Sequence, residues 1–205
     1  MAGCIAESDD VTQIREIVST FIYEGQQFLA SIEDTVEFAK VTDGEVELVE
    51  EEYNVRNMFD KLVNDDELSG LGKINLNISE NVPVNMFGDT GRISQAVVKL
   101  LQRMKNIAPD GELLLTVLCP HCSYAAELEI RIGTTELVAA NDEINDANNS
   151  FKNKSKYINV LELDDVGLTV TGRIIKQMHG TINAVENDIS GIEYVINVPQ
   201  LAVSE

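Results

Sequence analysis

The residues best suited to metal chemistry form the tetrapeptide Cys119-Pro120-His121-Cys122. Two thiolates separated by two residues have the spacing of a zinc knuckle. A tetrahedral site needs two more ligands, and the chain offers only Cys4, His179 and the awkwardly placed His121. The tetrapeptide also lies between two predicted strands, where Pro120 fixes one backbone dihedral of a turn. We therefore favour a metal-free hairpin turn at residues 119–122 over a zinc site.

Two cationic residues four positions apart, Lys99 and Arg103, lie in a predicted helix from Thr90 to Ile107. This spacing places both side chains on the same helix face. Ammonium and guanidinium groups have no lone pair to offer a magnesium ion, unlike a carboxamide oxygen. The pair indicates either a ligand site that has lost its metal or an ordinary solvated helix face, and both interpretations stay open.

Residues 88–105 begin with Gly88-Asp89 and contain the run Arg92-Ile93-Ser94-Gln95. This stretch resembles the helix of sensor histidine kinases whose two asparagines hold Mg²⁺ and the phosphates of ATP. Lys99 and Arg103 stand at the two asparagine positions. Residues 28–48 are similar to the second dimerisation helix of the same family and its linker, while residues 167–182 and 191–199 match its last helix and closing strand. The resemblance implies a domain at residues 45–205 of the histidine-kinase ATPase type, preceded at residues 1–44 by a dimerisation-type helix.

The nucleotide motifs of that family are poorly matched. Where the family has a strand ending in Asp-x-Gly-x-Gly, this chain keeps only Gly133, and Glu136 is interpreted as a solvated loop residue rather than a replacement for the adenine-binding Asp. In the second glycine box only Gly167 remains. The resemblance therefore predicts a degenerate nucleotide site at Lys99, Arg103, Gly133 and Gly167, with binding of ATP and Mg²⁺ lost and no catalytic residues or other cofactor.

The charge balance limits the possible partners. The 205 residues carry a formal net charge of -20, which makes nucleic acid or an anionic membrane surface an unsuitable partner. No apolar stretch reaches transmembrane length, and three cysteines suit a reducing compartment. The composition predicts a soluble intracellular protein, cytoplasmic or organellar, that does not insert into a membrane.

Residues 11–40 have the apolar spacing of a long helix. Apolar residues recur at Ile14, Val18, Phe21, Phe28 and Ile32, with Gly25 between the two phenylalanines, so the steps alternate between four and three residues. This is the spacing of a heptad seam. The segment before the helix is too short to form an antiparallel neighbour, so the seam needs a partner from elsewhere. We predict that these five residues contact a protein partner or a second copy of the chain, as in a homodimer.

The remaining periodicity predicts an α/β fold, a two-layer sandwich of one mixed sheet under helices. Residues 139–156, rich in Asn, Asp and Lys, are predicted to be a mobile loop, and His179 before Gly180 is predicted to end a helix. Further helices are expected at 55–63 and 166–178, and strands at 45–49, 73–78, 84–87, 112–118, 124–132, 181–186 and 192–198.

Three functions fit these observations. The favoured one is a catalytically degenerate histidine-kinase-like protein that acts as a regulatory, scaffold or structural subunit. The second is a fragment of a divergent sensor kinase whose other parts lie upstream. The third is a phosphotransfer adaptor that docks a response regulator, although such adaptors use a histidine on the helical bundle and residues 11–40 contain none.

Overall fold

A computed structural model describes residues 11–43, 47–138, 140–155 and 163–203. Five α-helices occur in these ranges: α1 (Val11–Asp43), α2 (Val55–Val63), α3 (Thr90–Ile107), α4 (Ala140–Lys152) and α5 (Leu163–Gln177). The strands there are β1 (Glu51–Asn54), β2 (Ile74–Ile78), β3 (Asn85–Gly88), β4 (Leu113–His121), β5 (Ala125–Thr134), β6 (Thr181–Asn187) and β7 (Gly191–Val203). Cys4, invoked above as a possible zinc ligand, lies outside the described residues.

Within the described residues the strands form one mixed sheet in the order β1-β3-β7-β5-β4-β2. The long strand β7 pairs with β5 along one edge, and β6 and β3 share its other edge. Only the β2–β4 pair is parallel; the other pairs are antiparallel. Helices α3, α4 and α5 contact the sheet, which confirms the predicted fold class.

Helix α3 has the predicted limits because its ends carry clear signals. The Asp89 side chain accepts a hydrogen bond from the Arg92 amide at 2.9 Å, which caps the N-terminus. Its other carboxylate oxygen accepts the Val49 amide at 2.8 Å, so the cap also holds the preceding segment. Pro109 follows the last turn, where a proline is common. Six apolar side chains of the helix are buried against the sheet and α5: Ile93, Ala96, Val97, Leu100, Leu101 and Met104.

The prediction of a loop at residues 139–156 was wrong. Residues 140–152 form α4, although asparagine and aspartate are poor helix formers. The helix is stabilised by tertiary contacts, since Ala147 and Phe151 are buried and Ile144 packs against the core. Asn148 also bonds both backbone groups of Ala184 on β6, at 2.8 and 3.0 Å. Packing and these bonds together outweigh the weak local propensity.

Two further expectations need correction. The strand predicted at residues 45–49 is not found at the described residues 47–49, and β1 begins instead at Glu51, where it pairs with β3. The turn predicted at residues 119–122 is displaced, because Cys119, Pro120 and His121 belong to β4 and only residues 122–124 connect the hairpin. An irregularity in the β4–β5 register between Leu118 and His121 accommodates this longer strand.

Helix α1 packs against the domain through its C-terminal third. Phe38 and Val41 are buried in the same core as the sheet and contribute to the contact between α1 and α5. Arg173 of α5 stacks over the Phe38 ring, with its guanidinium carbon 4.3 Å from the ring centroid. A helix of this chain thus covers the inner face of α1 and leaves the heptad seam exposed, so the prediction that the seam needs a partner from elsewhere stays a prediction.

Candidate functional site

Lys99 and Arg103 do not lie on a solvated helix face. The Lys99 ammonium forms an ion pair with Asp34 of α1, and the Arg103 guanidinium forms one with Glu143 of α4. These four side chains are 15–22% exposed, so both pairs are largely shielded from water. The solvated-face interpretation was therefore wrong. Helix α3 uses the two positions to bind its neighbours on either side.

The Arg103 pair has the geometry of a strong interaction. Nε and one terminal nitrogen of the guanidinium donate to the two oxygens of Glu143 at 2.9 and 2.7 Å, which is a bidentate arrangement. The Tyr194 hydroxyl of β7 donates to the same carboxylate at 2.9 Å. Burial opposes the charge of Arg103, but the bonds and charge of Glu143 outweigh it and hold its pKa above the ordinary value. Burial, followed by the Glu143 charge, raises the pKa of Tyr194, which therefore stays a donor.

Asp34 lies between the two family motifs that the sequence singled out. Its carboxylate contacts Lys99 of α3, and a Cβ added to Gly167 of α5 would come within 2.6 Å of its Oδ2. Such an approach is closer than side chains tolerate, so glycine at 167 leaves the space that this carboxylate uses. One turn along α1, Glu37 accepts a hydrogen bond from Arg92 at 2.5 Å. Two carboxylates of α1 therefore bind cations of α3.

The residues at these positions do not fit a magnesium ion. Lys99 and Arg103 offer only donors where the family offers carboxamide oxygens. In the described ranges, no group of three or more His, Cys, Asp or Glu side chains could hold a metal ion. The nearby oxygens of Asp34 and Glu143 already neutralise cations. We therefore derive no catalytic step through Mg²⁺ or ATP for this chain.

The other surviving glycine, Gly133, lies within β5, away from these ion pairs. A Cβ there would meet Ser190 Oγ at 3.5 Å, an ordinary contact, so no steric demand for glycine exists at this position. Glu136 is half-buried rather than solvated, and its carboxylate accepts the Asp110 amide at 3.2 Å. It stabilises the turn that leads into β4.

The cysteine pair and the two histidines are not gathered into one cluster. Cys119 is buried, whereas Cys122 is exposed and donates its thiol hydrogen to the Cys119 carbonyl at 2.7 Å. Burial, with a smaller contribution from Cys122, raises the pKa of the Cys119 thiol to about 12. His179 has a φ of 59° and follows α5, and its amide donates to the Lys176 carbonyl at 3.1 Å. Its predicted role at a helix C-terminus is confirmed.

The heptad seam of α1 faces away from the domain. Phe21 and Phe28 are 55% and 65% exposed, Val18 and Ile32 are exposed as well, and Ile14 is half-buried. At 3.6 residues per turn these positions lie opposite the face that carries Asp34 and Phe38. Three further apolar side chains widen the exposed stripe: Ile22, Leu29 and Val36. We call this set of eight residues the outer stripe of α1.

Among known proteins, this chain is similar to histidine kinases. No protein-family model matches it. Hybrid signal transduction histidine kinase B of Dictyostelium discoideum is 22% identical over 213 aligned residues, covering 96% of this chain and 11% of that protein. Histidine kinase 3 of Arabidopsis thaliana is 27% identical over 112 residues, covering 53% of this chain and 11% of that protein.

Solved structures agree with these relatives. Full-length ShkA in complex with AMPPNP superposes with a TM-score of 0.65 at 16% identity, covering 98% of this chain and 42% of that one. The histidine kinase ThkA, in complex with the response regulator protein TrrA, gives 0.63 at 15% identity, covering 94% and 53%. The chain has the fold of the C-terminal region of sensor histidine kinases. It spans about a ninth of the length of the two curated histidine kinases it matches.

The sensor-kinase resemblance drew attention to positions 99, 103 and 167 but not to what fills the space around them. Asp34, Glu37 and Glu143 were missed as partners of α3. The available signal was charge: two cations on one face of a predicted half-buried helix need carboxylates nearby. Acidic residues abound in this chain, so that signal could not select among them.

In the described part of the chain, none of the helices combines the length and hydropathy needed to cross a bilayer.

Proposed function

We propose that this chain is a catalytically degenerate histidine-kinase-like protein that acts as a regulatory, scaffold or structural subunit through protein binding. The observation that carries the proposal is the ion pairing of Lys99 with Asp34 and of Arg103 with Glu143. Carboxylates of the chain itself neutralise the cations at the two positions that resemble the metal-holding asparagines. The fold is kept, while the chemistry of those positions is replaced by contacts between helices.

A nucleotide bound at this face would have to displace those carboxylates. Separating either pair leaves a largely buried charge without its partner, which costs on the order of several kcal/mol for fully buried pairs and less for exposed ones. A polyphosphate would also bring negative charge close to Asp34 and Glu143. Without a metal ion to screen that charge, binding of ATP is disfavoured at both positions.

The outer stripe of α1 is the surface that we assign to the partner, either another protein or a second copy of this chain. Its side chains are exposed, although fully burying one such apolar residue stabilises a protein by about 1.5–3 kcal/mol. A contiguous apolar surface on a helix is typical of an interaction site. No membrane or nucleic-acid partner is proposed, because of the net charge of -20.

Calorimetric titration with ATP, with and without Mg²⁺, tests the loss of nucleotide binding. We expect no magnesium-dependent binding by the wild-type chain, with an active sensor-kinase ATPase domain as the positive control. The double variant Lys99→Asn/Arg103→Asn should not restore binding, because the adenine-binding Asp and most glycines of the family motifs are still missing. Magnesium-dependent affinity in the micromolar range or tighter, on the order of 8 kcal/mol of binding free energy, would refute this part of the proposal.

Sedimentation and co-purification test the role of α1. Phe21→Asp or Phe28→Asp should weaken self-association or partner binding while the domain stays folded by circular dichroism. Ile189→Asp is a matched control, because this residue is also apolar and highly exposed but lies in the β6–β7 turn. If the wild-type chain is a monomer and neither phenylalanine variant alters binding to any co-purified protein, α1 has no such role.

A fragment of a divergent, active sensor kinase is the alternative enzyme function. It is favoured by the length of the curated relatives, of which the chain spans about a ninth. Magnesium-dependent ATP binding in the experiment above would support it.

A phosphotransfer adaptor that docks a response regulator is the third candidate, suggested by the ThkA–TrrA complex. The lack of any histidine in residues 11–43 counts against it.

A further inference from the structure

A pocket of about 570 Å³ lies beside the C-terminal ends of α1, α4 and α5 and the start of β6. Four cationic side chains line it, and none of the described residues that line it is acidic: the cations are Lys152, Lys154, Arg173 and Lys176. We call it the basic pocket. None of the residues around the Lys99 and Arg103 ion pairs lines it, so it is separate from the site described above.

The charge of the basic pocket is unusual for this chain. The sequence has 35 acidic and 15 basic residues, yet four of those 15 surround one pocket. By contrast, Arg92, Lys99 and Arg103 are each paired with a carboxylate. Across the described ranges, the ion pairs of the chain do not include Lys152, Lys154 or Lys176. The pocket therefore concentrates positive charge on a strongly acidic protein.

Helix dipoles account for only part of this arrangement. Lys152 and Lys176 lie in the last turns of α4 and α5, where the partial negative charge of a helix end favours cations. Each helix end contributes roughly half an elementary charge, so two ends offset about one of the three lysine charges. Arg173 and Lys176 also lie three residues apart on one helix, which places like charges side by side. An anion in the pocket would relieve the remaining repulsion.

The walls of the basic pocket are held in place by contacts outside its charged groups. Arg173 stacks on the Phe38 ring and donates a hydrogen bond to the Ser155 carbonyl, which fixes the guanidinium at the pocket. The Asn153 side chain accepts the Ser155 amide at 2.8 Å and orders the chain after α4. Gly172 lets α4 approach α5 closely, since a Cβ there would come within 2.5 Å of the Phe151 carbonyl oxygen.

We propose that the basic pocket binds a small soluble polyanion that carries phosphate groups. Its volume lies in the range of small-ligand sites, and its three lysines supply positive charge comparable to the negative charge of a short polyphosphate. Ammonium groups are common phosphate binders, and several of them around one pocket suit the several oxygens of a polyphosphate. A phospholipid headgroup would offer the same chemistry, but the net charge of -20 repels an anionic bilayer.

Calorimetric titration of the full chain with inorganic tripolyphosphate tests this site. At about 10 mM ionic strength the screening length is about 30 Å, so the binding should be measurable and should weaken as salt is added. Lys152→Gln and Lys176→Gln should each weaken binding about 3-fold, and the double variant about 10-fold, as expected for exposed charge pairs. Lys61→Gln is the matched control, because Lys61 is an exposed lysine on α2, and it should leave binding unchanged.

Several results would overturn the assignment. The assignment is wrong if the wild-type chain does not bind tripolyphosphate or if the Lys152/Lys176 double variant binds it as tightly as the wild type. It is also wrong if Lys61→Gln loses as much binding as the single variants at the pocket. Loss of binding in Lys99→Gln but not in Lys176→Gln would place the polyanion at the degenerate site instead. Citrate that binds as tightly as tripolyphosphate would refute the preference for phosphate. Binding to vesicles that contain anionic phospholipid, without binding to tripolyphosphate, would refute a soluble ligand.

Discussion

Replacing Arg103 by asparagine, the residue that the resemblance places at this position, should destabilise the protein. The change removes a bidentate pair with bonds of 2.9 and 2.7 Å and leaves Glu143, a mostly buried carboxylate, without its cation. Exposed ion pairs contribute about 0–1 kcal/mol, and breaking a fully buried pair costs about 3–5 kcal/mol. With side chains 22% and 15% exposed, an intermediate loss of about 2–3 kcal/mol is expected.

A double-mutant cycle separates this pair from other effects of the change. Urea unfolding of the wild-type chain, Arg103→Asn, Glu143→Gln and the double variant should give a coupling of about 2 kcal/mol. The melting temperature of Arg103→Asn should fall by roughly 5–10 °C, since 1 kcal/mol corresponds to about 2–4 °C in a chain of this size. Lys73 and Glu112 form a matched control pair at 3.0 Å, with side chains 65% and 47% exposed, and their cycle should show no resolvable coupling.

The cycle also defines what would refute the reasoning. A coupling below about 0.5 kcal/mol for Arg103 and Glu143 would mean that solvent screens the pair as it screens a surface pair. In that case α4 would be held in place by its contacts with α5 and β6, and the ion pair could not be what closes this face of α3.

Two further predictions concern the cysteines. Protein purified without added metal should contain no stoichiometric zinc by atomic emission, and one zinc per chain that is lost in Cys119→Ser would contradict this. Because burial raises the pKa of Cys119 from 9.0 to about 12, the buried thiol stabilises the fold below pH 9 and that contribution is lost as pH rises toward 12. In Cys119→Ala, the free energy of unfolding should therefore fall less steeply at alkaline pH than in the wild type. An unchanged fall would mean that other groups cause it, such as Tyr53, because burial also raises the pKa of Tyr53.

The sequence predicted helices well where amphipathic spacing and end signals agree. Residues 55–63 and 90–107 form helices with the predicted limits, each begun by a capping side chain, Asn54 or Asp89. Helix α4 was missed because its asparagines favour turns and caps over helices. Its apolar residues nevertheless recur with helical spacing at Ile144, Ala147 and Phe151. In this segment spacing was the better guide than composition.

The candidate site was only half predictable from one sequence. The resemblance identified Lys99 and Arg103 as exceptional, because it supplied the residue types expected at those positions. Their partners lie 65 and 40 residues away along the chain, at Asp34 and Glu143. Periodicity reports on local structure, so it carries no information on which of 35 acidic residues meets a given cation. Only the packing of α1 and α4 on either side of α3 decides that.

The two faces of α1 have different chemistry, and this separates its contact with the domain from its proposed docking role. The inner face binds the domain through charge, because Asp34 and Glu37 of α1 form ion pairs with cations of α3. Burial of Phe38 adds to this contact. The outer stripe is apolar and lies on the opposite side of the helix. A partner can therefore cover the outer stripe without breaking either ion pair. By the same geometry, α1 can stay bound to the domain while it serves as a docking helix, which the proposed binding function requires.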